Sequence, residues 1–150
     1  MTPSAFATLF GIGRWPFAPG TLASFVALVL ALGLVSAGGW PLLLASTVAL
    51  TALGLWAGDA YVTQTGKEDP KEVVIDEAAG MWLALVAAPV DPYAYALAFL
   101  AFRALDIVKP WPISVLDRMK GGFGVMADDI AAGFAAGALV AVSAALGLVS

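Results

Sequence analysis

The sequence predicts an all-α, membrane-embedded bundle of about four to five membrane segments, with a short or re-entrant helical hairpin at 76–109. Three observations predict it. Of 150 residues, 61% are hydrophobic and 12% charged, whereas a soluble domain carries about 25% charged residues. The apolar residues come in long runs, separated by short Gly, Pro and charged breaks. All seven basic residues fall in alternate breaks. A chain of this length forms one domain, residues 1–150, and lipid is where that much apolar surface can go.

Residues 1–20 form a Gly/Pro/aromatic lead ending in Ala18-Pro19-Gly20-Thr21. They lack a basic n-region, so no cleavable signal is expected. Residues 22–35 are the first apolar run, with Thr21 as its expected N-cap and Ser24 at N3. Ser36-Ala37-Gly38-Gly39 breaks it. Residues 41–57 are the second run, closed by Gly58-Asp59. With their flanks both approach the roughly 17–25 residues that a spanning helix needs.

A polar loop is expected over 63–77, with Lys67, Glu68, Asp69, Lys71 and Glu72. Residues 78–90 are apolar but short, and Pro89 to Pro92 turns the chain into the run 93–102. These two form the hairpin. Its arms approach spanning length only if Asp76-Glu77 and the stretch from Arg103 to Lys109 are helical too. A second polar loop is expected over 111–124, and Asp128-Asp129 are expected to start the last run, which ends at 149. Asp129, Gly133 and Gly137 then share a face at i, i+4 and i+8, where small residues admit a neighbouring helix.

With five runs alternating across a bilayer, Arg14, Lys67, Lys71, Arg103, Lys109, Arg118 and Lys120 all lie on one side. By the positive-inside rule that side is cytoplasmic. The expected location is the inner (cytoplasmic) membrane, multi-pass.

Absences narrow the chemistry. The chain has no histidine and no cysteine, which removes His general bases, phosphohistidine, thiol nucleophiles and typical transition-metal sites. A net charge of −4 argues against a nucleic-acid partner. Of eleven acids, five gather at the polar ends of apolar runs: Asp76, Glu77, Asp106, Asp128 and Asp129. A carboxylate near lipid is costly unless paired or holding a metal. Carboxylates alone prefer hard cations.

Each cluster also has a plain structural explanation. Asp76-Glu77 in a first turn offset the helix dipole. Arg103 and Asp106 form an i, i+3 ion pair, with Lys109 one turn on and Pro110 ending the helix. Asp128 caps a helix, leaving Asp129 to face the bundle beside Gly133. The start of the first run at Gly20, Thr21 and Ser24 is a capped helix end that also offers N–H groups to phosphate. Together the clusters indicate a hard-cation site facing a phosphorylated ligand, with Arg103 and Lys109 gripping phosphate.

The chain resembles the phosphatidylglycerophosphatase A family over nearly its whole length. The stretches that carry the resemblance are Pro16-Phe17-Ala18-Pro19-Gly20-Thr21 with Ser24, Val74-Ile75-Asp76-Glu77 with Gly80-Met81-Trp82, Phe102-Arg103 with Asp106-Ile107 and Lys109-Pro110-Trp111-Pro112-Ile113, and Gly121-Gly122 with Gly124-Val125-Met126, Asp128-Asp129 and Ala132-Gly133. One departure is Ala23 where the family pattern has glycine. The resemblance implies a single lipid phosphatase domain that removes the terminal phosphate of phosphatidylglycerophosphate using Mg²⁺. It implies Asp76, Glu77, Asp106, Asp128 and Asp129 as catalytic metal ligands on the cytoplasmic side. Arg103, Lys109, Gly20, Thr21 and Ser24 would then bind phosphate. Two rivals are another metal-dependent phosphotransferase, such as a CDP-alcohol phosphotransferase, and a cation transporter. The first lacks its Asp-Gly-x-x-Ala-Arg pattern here, and the second expects acids at the midplane rather than at one interface.

Overall fold

The computed structural model describes residues 2–67 and 70–150. Glu68 and Asp69 of the expected polar loop, and Met1, lie outside the described residues. All regular structure among the described residues is helical. A short helix α1 (Pro3–Ala7) and a 3-10 helix (Leu9–Arg14) precede the long α2 (Pro19–Thr65). Then come α3 (Ile75–Leu85), α4 (Pro92–Val108), the one-turn α5 (Ile113–Leu116) and α6 (Gly121–Ala145).

Helix α2 is two arms, broken where Gly38 and Gly39 leave helical geometry (φ −155° and +67°). Gly39 needs the left-handed region that glycine tolerates. The arms fold back on each other. Gly20, near the start, lies against Glu77, while Asp59, near the end, accepts a 3.2 Å hydrogen bond from the Gly122 N–H. Two helices, Pro19–Thr65 and Gly121–Ala145, are long and apolar enough to cross a membrane. Phe25, Trp40, Val48, Trp56, Leu100 and Phe134 are among the large apolar side chains left exposed.

Helix α3 is the short member. Its 11 residues rise about 17 Å at 1.5 Å each, well under a hydrocarbon core of about 30 Å. It packs between α2 and α6. Gly80, Gly133 and Gly137 make this contact, since a Cβ at Gly133 would sit 2.3 Å from the Gly80 carbonyl oxygen and one at Gly137 3.3 Å from that of Ala84. Phe102, Met81, Leu85, Ala132 and Ala136 fill the adjoining core. The small-residue face read from the sequence therefore works within the chain.

Four boundaries differ from the sequence reading. Helix α2 starts at Pro19, with Ala18 rather than Thr21 as N-cap. Proline suits N1 because its missing N–H has no helical partner there. The helix then runs past Gly58-Asp59 to Thr65, because Ala57 and Tyr61 stay buried against the α1 end of the molecule. Helix α6 starts at Gly121, so Asp128 is an interior residue and not a cap. The glycines before it are helical because the space is missing. A Cβ at Gly124 would lie 2.0 Å from the Met119 carbonyl oxygen, and one at Gly122 2.4 Å from that of Leu55. Finally, the stretch 111–124 is not a plain loop, since it holds α5 and a cis Trp111–Pro112 bond.

Candidate active site

One end of the bundle encloses a cavity of about 360 Å³. Helix α2 contributes Pro19, Gly20 and Thr21; α3 contributes Asp76 and Glu77; α4 contributes Arg103 and Asp106. Lys109 caps α4, Asp117 follows α5, and α6 adds Asp128 and Asp129. The five sequence-predicted carboxylates thus share one chamber with both predicted cations.

Each acid is delivered by local structure. Asp76 and Glu77 occupy the first turn of α3, and the Glu77 N–H donates to Asp76 Oδ1 at 3.1 Å. Asp128 and Asp129 lie two turns into α6, both buried. Asp76, Glu77 and Asp129 each offer an oxygen within 4.8 Å of the others, and so do Asp106, Asp128 and Asp129. Asp129 belongs to both sets. Glu77 Oε2 is buried with no hydrogen-bond partner. Crowded, desolvated carboxylates repel one another, and an orphaned buried oxygen is costly. A hard cation among them would answer both problems, so the donor set fits a metal ion coordinated by oxygen.

The cations are braced. Arg103 donates through Nη1 to Asp106 Oδ2, and reaches Ser24 Oγ at 3.5 Å. Its Nε is buried without a partner. Lys109 donates to Asp117 Oδ1 and, at 2.7 Å, to Asp128 Oδ2. Burial opposes the Lys109 charge, but the hydrogen bonds it donates to both acids outweigh it and raise its pKa. It is therefore a cation at neutral pH. Ala18 and Lys109, which both line the cavity, are left-handed (φ 44° and 47°). Non-glycine residues adopt this conformation at a cost of about 1–2 kcal/mol, and at position 109 it turns the chain out of α4 beside the acids.

Ser24 does not line the cavity. It is fully buried, its hydroxyl donating to the Gly20 carbonyl at 2.8 Å and accepting from Arg103. Its influence on the chamber runs through Arg103. Gly20 does more than expose an N–H. A Cβ there would lie 2.1 Å from Glu77 Oε1, so its bareness makes room for that carboxylate. Asp117 and Lys71, which also line the chamber, were not singled out from the sequence. Asp117 reaches Lys109 across the break between α4 and α5, so no single helix relates them.

Comparisons with known proteins identify the family. A family model described as phosphatidylglycerophosphatase A matches residues 5–144. A Bacteroides thetaiotaomicron protein, provisionally named a phosphatidylinositol-3-phosphatase, is 40% identical over 94% of this chain and 92% of its own. Phosphatidylglycerophosphatase A of Escherichia coli is 36% identical, covering 83% of this chain and 73% of its own. Its namesake in Haemophilus influenzae is 35% identical, covering 82% and 77%. No solved structure matches. With the family model spanning nearly all of its length, this chain belongs to the phosphatidylglycerophosphatase A family and is a phosphatase.

Proposed function

We propose that this protein is a Mg²⁺-dependent lipid phosphatase that converts phosphatidylglycerophosphate to phosphatidylglycerol and phosphate. The observation that carries the reading is the single chamber in which Asp76, Glu77, Asp106, Asp128 and Asp129 face Arg103 and Lys109.

Asp76, Glu77 and Asp129, or Asp106, Asp128 and Asp129, would hold the cation. An oxygen-ligated divalent ion supplies positive charge to a phosphoryl group and acidity to nearby water. The chain's own residues bind and orient. Arg103 and Lys109 take equatorial oxygens of the phosphoryl group. Gly20 and Thr21, at the start of α2, line the same space, and N–H groups at a helix start bind phosphate. Water attacks phosphorus as its bond to the glycerol oxygen breaks. The departing alkoxide takes a proton, and the site carboxylates accept the one that water loses.

The same reading covers topology. The two arms of α2 and α6 cross the bilayer, while α3 and α4 form a hairpin that enters and leaves it on the chamber side. Lys71, Arg103 and Lys109 line the chamber, and by the positive-inside rule they support a cytoplasmic position for that end at the inner membrane.

A second reading has one observation in its favour. The Bacteroides relative is named for phosphatidylinositol 3-phosphate, also a lipid phosphomonoester. Phosphate release by purified protein from both lipids, with Mg²⁺ and then EDTA, tests the choice. Faster release from phosphatidylglycerophosphate supports the first reading. Faster release from phosphatidylinositol 3-phosphate replaces it.

A further inference from the structure

We infer that the five acids divide their work: Asp76, Glu77 and Asp129 hold the divalent ion, while Asp106 and Asp128 are positioning residues that aim Arg103 and Lys109. This rests on the lipid phosphatase reading above and chooses between the two acid sets that it leaves open.

The pattern of ion pairs separates the sets. Asp106 Oδ2 accepts from Arg103 Nη1, with the two side chains only 11% and 13% exposed. Asp128 Oδ2 accepts from Lys109 Nζ at 2.7 Å, and Asp117 Oδ1 accepts from the same ammonium. Asp76, Glu77 and Asp129 form no ion pair with a lysine or arginine among the described residues. Their oxygens nonetheless lie within 4.8 Å of one another. Three carboxylates at that spacing repel one another unless a cation joins them.

Asp106, Asp128 and Asp129 meet the same spacing, but two of them are already committed. A divalent ion there would sit beside the ammonium and guanidinium that Asp128 and Asp106 hold. Like charges at such range repel, and expelling either cation would remove a group suited to gripping phosphate.

Glu77 supplies a second, independent observation. Its Oε2 is buried with no hydrogen-bond partner, whereas Asp106 Oδ2 and Asp128 Oδ2 have theirs. A buried anionic oxygen without a donor calls for a cation. Gly20 keeps room for this carboxylate, since a Cβ there would lie 2.1 Å from Oε1. Mg²⁺ is held by few carboxylates and completes its shell with water and phosphate oxygens, so it does not need all five acids.

The test titrates Mn²⁺ into the full chain in detergent without substrate, reading the free ion by electron paramagnetic resonance. Asp76→Asn and Glu77→Gln should weaken binding about a hundred-fold, as loss of a charged ligand does. Asp106→Asn and Asp128→Asn, folded by circular dichroism, should weaken it less than about ten-fold, the effect of a charge removed nearby. Kinetics then test the positioning role. Because Asp128 acts through Lys109, the double variant Asp128→Asn/Lys109→Met should lose no more kcat/KM than Lys109→Met alone. Mn²⁺ binding lost as severely in Asp106→Asn or Asp128→Asn as in Glu77→Gln would overturn the division of roles. So would wild-type binding by Asp76→Asn, no binding by wild type, or losses that multiply in the double variant. Phosphate release with Mn²⁺ held by all five acids alike would keep the proposed reaction and sink the division. The expected Mn²⁺ pattern in a wild type that releases no phosphate would do the reverse.

Discussion

Gly133 of α6 and Gly80 of α3 touch backbone to backbone, so that a Cβ on Gly133 would lie 2.3 Å from the Gly80 oxygen. The same offset pairs Gly137 with Ala84 one turn further on, and a Cβ on Gly80 would meet the Asp129 carbonyl at 2.5 Å. The two helices therefore run parallel in fixed register. One turn before this contact stand Asp76 on α3 and Asp129 on α6, which join Glu77 within 4.8 Å. The glycines set the spacing of the acids.

This relationship makes Gly133→Ala destabilising. A methyl forced against backbone costs about 1–3 kcal/mol, and the separation of α6 from α3 should also cut activity. Gly33, with nothing within 4 Å, is the contrast. Gly33→Ala should hold or raise the melting temperature, since alanine favours helix by about 1 kcal/mol. Thermal unfolding of both variants in one detergent checks the pair. Equal melting of Gly133→Ala and wild type would contradict the packing argument.

Gly20→Ala should act on chemistry more than on folding. The new methyl would collide with the end of the Glu77 side chain, which can swing away. We expect kcat/KM to fall about ten-fold or more from this displacement, with a melting temperature near wild type. An active Gly20→Ala enzyme would show that Glu77 need not sit where it does.

Arg103→Ala should lower kcat by about 10²–10³, the usual loss for one preorganised charge donor. Ser24→Ala removes only one brace of the guanidinium, so its loss should be a few-fold. Steady-state assays separate them. Comparable losses for both variants would mean that Ser24 has a role beyond holding Arg103.

Divalent ion should stabilise the folded wild type through the carboxylate sets. Raising Mg²⁺ from EDTA conditions should raise the melting temperature by mass action, and Asp129→Asn should abolish the rise. In EDTA the Asp129→Asn protein should melt no lower than wild type, because one of several crowded charges has gone. A Mg²⁺ response retained in the variant would remove Asp129 from the metal site.

The sequence made the gathering of the five acids more legible than the frame that holds them. Scarce acids at run ends pointed to Asp76, Glu77, Asp106, Asp128 and Asp129, because few other reasons place charge beside so much apolar chain. The parallel contact of α3 with α6 was foreshadowed by the four-residue spacing of Asp129, Gly133 and Gly137. Helix starts were less legible. Glycine reads locally as a breaker, but Gly122 and Gly124 stay helical because tertiary neighbours leave no room for side chains. Asp117 was missed because it reaches Lys109 only after the α5 turn folds the chain back. The role of Ser24 was obscured because its hydroxyl bonds back to its own helix at Gly20 and sideways to Arg103, relations that depend on α4 lying alongside.

The most direct test of the central claim is phosphate release from phosphatidylglycerophosphate by purified protein in micelles, with Mg²⁺ and with EDTA, wild type beside Asp129→Asn. The account predicts Mg²⁺-dependent release by wild type, reduced at least a hundred-fold (~2.7 kcal/mol in barrier) in a variant that remains folded. Release that is unaffected by EDTA, or a folded Asp129→Asn protein with wild-type activity, would contradict it.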